Sequence, residues 1–82
     1  MVNLQDAINK ATDYAKFMNK DNPILNIRVE EIDANGSNWF LTLGWDDKFY
    51  DDSGIFTKTK RIYKVFTIKK SDGEVIGVSM RE

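Results

Sequence analysis

The chain contains no cysteine and no histidine, and only one proline. Without cysteine there is neither a disulfide nor a thiolate metal site, so stability has to come from packing alone. Without histidine there is no Ser-His-Asp arrangement, no imidazole base and no imidazole ligand for zinc. Together the two absences leave transition metals almost without donors. Length is also scarce: 82 residues make one domain, 1–82, whose core is thin because so short a chain buries only about 60–65% of its unfolded surface. No apolar run approaches the roughly 20 residues of a membrane helix. The first residues, MVNLQDAINKATDYAKF, do not place an unbroken apolar stretch behind a basic segment, as a secretory signal would. The expectation is a cytoplasmic protein with no membrane partner, in keeping with the reducing compartment that cysteine-free chains suit.

What is present is 41% hydrophobic and 30% charged, with a net charge of −1, a composition that folds and carries no bulk attraction to polyanions. The charge is unevenly placed. Residues 46–52, DDKFYDD, hold four Asp and one Lys, whereas 58–70, KTKRIYKVFTIKK, hold five Lys and one Arg and no acid.

Hydrophobic spacing divides the chain into a helix and four strands. Leu4, Ala7, Ile8, Ala11, Tyr14, Ala15 and Met18 recur at helical spacing. Asn3 is the expected N-cap, Asp6 lies in the first turn where the helix dipole favours it, and Pro23 closes the connection. This predicts a helix over about 3–19. The period then becomes two. Strands are expected at about 24–33, with Leu25, Ile27 and Val29 on one side, and at 38–46, with Trp39, Leu41, Leu43 and Trp45 opposite Phe40 and Thr42. A third is expected at 58–69, with Ile62, Phe66 and Ile68 on one side of Tyr63, Val65 and Thr67, and a fourth at 75–81, with Ile76, Val78 and Met80 aligned. Asn35-Gly36 predicts a primed hairpin turn, 46–57 a polar connection, and Asp72-Gly73 the last turn. Hairpin-type links make sequential strands neighbours. The expected fold is α+β and two-layered, one N-terminal helix packed on a four-stranded antiparallel meander, with the closing hairpin central in the sheet.

The ending YKVFTIKKSDGEVIGVSMRE, preceded by NWFLTLGW and VEEIDANGSNWFLTL, resembles PepSY-type small domains, and the likeness runs over about residues 3–82. Those domains place a Trp on the strand after an acidic hairpin and close on an aromatic-x-Val strand, an Asp- and Gly-containing turn and a short apolar strand. Lys69 and Lys70 stand here where an Asp is common. The chain also resembles small cytosolic bacterial proteins of the same pattern. The resemblance implies a cystatin-like or PepSY-like helix-on-sheet fold and a binding or inhibitory accessory role, often towards a peptidase. It brings no catalytic residues.

The residues themselves offer little chemistry. Asp46, Asp47, Asp51 and Asp52 do not take the spacing of an EF-hand loop. Glu30 and Glu31 are adjacent on a strand and so expected on opposite faces, which argues against an acid/base dyad. The five glycines follow no phosphate-binding pattern. A non-enzyme without cofactor or metal is expected. Aromatics make up 12% of the chain, more than a thin core under one helix uses. Phe40, Phe56, Tyr63 and Val65, near Lys60, Arg61 and Lys64, are therefore the candidate partner-binding residues, for another protein or a second copy. Two alternatives are a nucleic-acid-binding accessory protein using the basic third strand, and a non-catalytic enzyme subunit.

Overall fold

The computed structural model describes residues 1–50, 53–54 and 56–80. The helix, α1 (Leu4–Met18), starts where Asn3 Oδ1 accepts the Asp6 N–H at 2.8 Å. It ends where the Asn19 side chain donates to the Ala15 carbonyl at 2.8 Å. Ala7, Ala11 and Ala15 are completely buried. Spaced one helical turn apart, they form a flat stripe without side-chain bulk, along which the helix lies close on the sheet.

The sheet comprises β1 (Leu25–Ala34), β2 (Asn38–Tyr50), β3 (Phe56–Lys69) and β4 (Val75–Met80), antiparallel and in that order. The architecture is thus the expected α+β meander. Helix contacts fall on β2, β3 and β4. The covered face is the Trp set: Leu41, Leu43, Trp45, Phe66 and Ile68 have no more than 1% of their surface exposed. Phe66 is the hub, with its ring centroid 6.3 Å from those of both Tyr14 and Trp45. Burying five side chains of this size contributes about 1.5–3 kcal/mol each.

Several local expectations need correction. The stretch 46–57 is not all connection. β2 runs on to Tyr50 and β3 begins at Phe56, with Asp47 opposite Lys60 and Lys48 opposite Thr59. The unbroken ladder from Asn38↔Lys69 to Phe49↔Lys58 outweighs the turn-like composition there. The closing hairpin is only half central, because β4 is an edge strand. Gly36 does not take a positive φ, so Asn35-Gly36 is no primed turn. Instead the Asn35 carboxamide oxygen accepts the N–H groups of Ser37 and Asn38, both at 2.8 Å, an Asx-type turn. Asp72-Gly73 behaves as expected, with Gly73 at φ +78°.

Bulges explain the remaining differences. A register shift between Thr67 and Ile68 inserts Ile76 as the extra residue, so Val75 and Val78 pack on the core and Ile76 is exposed. On β1, Asn26 adopts φ +55° within a second shift. That turns Leu25 out to solvent while Ile24, Ile27 and Val29 pack inward. A third shift, between Val29 and Glu31, puts Glu31 opposite Thr42. Glu30 reaches Arg61 on that same side, so the adjacent glutamates share a face instead of dividing between two.

The molecule measures 48 × 22 × 17 Å, with a radius of gyration of 14.0 Å, against about 12 Å for a compact chain of this length. Its elongation comes from β2 and β3. Among the described residues β1 reaches only Asp46 and β4 only Lys64, so the central pair projects beyond both as a two-stranded ribbon.

Candidate functional site

Among the described residues no second layer covers the other face of the sheet. β2 contributes Phe40, Thr42, Gly44 and Asp46 to it, and their β3 partners are Thr67, Val65, Tyr63 and Arg61. The alternation that puts Leu41, Leu43 and Trp45 beneath the helix puts these residues outside. Phe40 and Val65 are half-buried and Tyr63 is exposed. Thr42 is nonetheless only 4% exposed, and Gly44 is buried.

At Gly44, long neighbouring side chains do that shielding. A methyl group on Gly44 would lie 3.0 Å from Tyr63 Cε1 and 3.1 Å from both Arg61 Nη2 and Glu30 Cγ. A side chain there would have to push these neighbours aside. Arg61 is the organiser. Its Nη1 donates to the Asn26 carbonyl at 2.8 Å and to Asp46 Oδ1 at 3.3 Å, and its Nη2 donates to Glu30 Oε1 at 3.0 Å. Asn26 Nδ2 donates to the other oxygen of Asp46 at 2.8 Å. The positive φ of Asn26 serves this cluster, because the bulge brings carbonyl and carboxamide to the same spot.

Both charges are held in place. The Asn26 hydrogen bond draws the Asp46 carboxyl below its ordinary value of 3.8; partial burial opposes this and Arg61 reinforces it. Burial alone would pull the Arg61 guanidinium down, but hydrogen bonds to Glu30 and Asp46, with Tyr63 adding to them, raise it. Beside the cluster is an open groove of about 570 Å³, lined by Asn26, Arg28, Glu30, Asp46, Arg61 and Tyr63 with Ile27. An apolar strip of Phe40, Val65 and Tyr63 therefore ends in a fixed arginine and two carboxylates. Such an arrangement suits recognition, since its polar groups are already oriented.

The structure divides the expected contact residues. Phe40, Tyr63, Val65 and Arg61 share the open face, while Lys60 and Lys64 lie on the helix side with Ile62. Lys64 Nζ sits 6.0 Å from the centroid of the Trp45 ring. Phe56 is paired with Tyr50 in the ribbon, and its side chain lies outside the described residues. So do Asp51 and Asp52 of the acidic stretch. Asn26, Glu30, Gly44 and Asp46 were not anticipated as a cluster, because the bulges that assemble them have no periodic trace. A glycine inside a strand was the one available signal.

Among the described residues no group of three or more carboxylates could hold a metal ion, and no helix is long and apolar enough to cross a membrane. Comparison with protein-family models, with curated proteins and with solved structures yields no match. The PepSY-like reading therefore rests on the sequence motifs alone.

Proposed function

We propose that the chain is a small non-enzymatic binding or inhibitory accessory module of the cytoplasm, PepSY-like or cystatin-like in kind, that presents its open sheet face to a protein partner or to a second copy. One observation supports this above the others. Among the described residues the two central strands are covered on one face only, and the bare face carries Phe40, Val65 and Tyr63 beside a positioned Arg61. Tyr and Arg are the residue types in which binding energy concentrates at protein interfaces. An apolar strip rimmed by charge matches interface anatomy.

The test compares the solution mass of the parent with that of Phe40→Ser and Tyr63→Ser, by light scattering at two protein concentrations and two salt levels. A parent that self-associates and variants that are folded monomers support the reading for a second copy. For a foreign protein, the support is a complex formed with the parent and lost with both variants. A parent that is monomeric throughout, whose complexes survive both substitutions, overturns it.

A further inference from the structure

Among the described residues β3 has a neighbour along both edges only where β4 reaches it. The β3–β4 ladder spans Ile68↔Val75 to Lys64↔Met80, whereas the β2–β3 ladder continues to Tyr50↔Phe56. Along residues 58–62 no strand lies on the β4 side of β3 among the described residues.

Antiparallel alternation identifies the backbone groups that face this gap. Lys70 donates its N–H to Ser37, on the β2 side, and Lys69 donates its N–H to Glu74, on the β4 side, both at 2.9 Å. β3 runs against β2 without a register break from Lys58 to Lys69. Even-numbered residues of β3 therefore turn their N–H and C=O towards β2, and odd-numbered ones turn theirs outward. In the gap the outward groups belong to Thr59 and Arg61. Between and beside them, the side chains of Lys58 and Lys60 lie on the helix side, both exposed. Neither makes an ion pair among the described residues.

We propose that this edge takes an extended acidic segment of another protein as a fifth strand, hydrogen-bonded to Thr59 and Arg61, with acidic side chains at alternate positions facing Lys58 and Lys60. Strand addition draws affinity from the main chain and specificity from alternate side chains. Opposite charges directly across a strand pair are favourable, and like charges are not. That rule argues against a second copy, because two-fold pairing of this stretch sets lysine against lysine or arginine against arginine. The chain's own acidic strand, β1, is no substitute, since two register shifts interrupt its edge. The edge uses only the backbone of Arg61 and lysines on the helix side, so Phe40 and Tyr63 of the open face take no part in it.

The probe is a blocked octapeptide alternating glutamate and valine, titrated while the backbone amide resonances are followed. Its lysine-for-glutamate counterpart and an oligothymidylate strand serve as comparisons. The glutamate peptide is expected to shift the Thr59 and Arg61 amides. Thr59→Pro removes an outward N–H that β2 does not use, and weakens binding by at least about tenfold. Lys60→Glu, which leaves the backbone intact should the proline disturb the fold, weakens it comparably. Phe40→Ser leaves it unchanged. The proposal is overturned if the edge amides do not respond at millimolar peptide, if the lysine peptide binds equally well, or if Phe40→Ser abolishes binding. Binding of oligothymidylate that survives Thr59→Pro but not Lys60→Glu overturns it in favour of a nucleic acid.

Discussion

On their helix side, β2 and β3 bury Leu41, Leu43, Trp45, Phe66 and Ile68; on the other side the same two strands carry Phe40, Thr42, Gly44, Tyr63 and Val65. Both faces contain residues shut off from water. The covered face achieves this with a second layer, through contacts that have no required direction. At Gly44 the open face achieves it with its own side chains, of which Arg61 and Glu30 are fixed by the hydrogen bonds of Arg61. Burial therefore reflects different physics on the two faces, and damage to each should look different.

The largest effect is expected on the covered face. Phe66→Ala removes the ring that touches both Tyr14 and Trp45, and should lower stability by about 3–5 kcal/mol in urea unfolding. A loss below about 1 kcal/mol would mean that the helix is not the principal cover. Next comes Gly44→Ala on the open face. The new methyl displaces Tyr63 or Arg61, both near 3 Å away, at a cost of about 1–3 kcal/mol. Chemical-shift changes should concentrate at Asn26, Glu30 and Arg61 and leave the Phe66 ring unmoved. Disturbance spread evenly over both faces would erase the distinction.

The smallest effect is electrostatic. The Asp46 carboxyl titrates lower in the folded chain than in the unfolded one. Its stabilising contribution is therefore complete above the unfolded value, near 3.9, and is lost as the pH falls through the lowered folded value. Between neutral pH and pH 3, the parent should lose more stability than Asp46→Asn does. Equal slopes would show that the cluster does not hold this charge.

The alternation of β2 and β3 made the fold readable, because strands covered on one side write their period plainly in Trp39 to Trp45 and in Ile62 to Ile68. Cap and helix stripe were equally plain, at Asn3 and at Ala7, Ala11 and Ala15. What escaped was set by residues that break a period. Asn26, Glu30 and Ile76 each sit at or beside a bulge, and a bulge reverses the facing of everything on one side of it. The cluster at Arg61 depends on two such breaks in β1, so no spacing rule assembles it. The length of the ribbon was hidden for another reason: its residues are those of a loop by composition, and only their cross-strand partners keep them extended.

The meander order also dictates a sequence of events in time. Every strand pairs with its neighbour in the chain, so the three hairpins can close by short searches, which favours rapid folding. The helix is the exception. It comes first in the chain yet rests on β2, β3 and β4, and just ahead of it the Val2 N–H bonds the Lys70 carbonyl at 2.8 Å. Its dock does not exist until the later strands have assembled. Substitutions within the β2–β3 hairpin should therefore slow folding, and those in the alanine stripe should chiefly hasten unfolding.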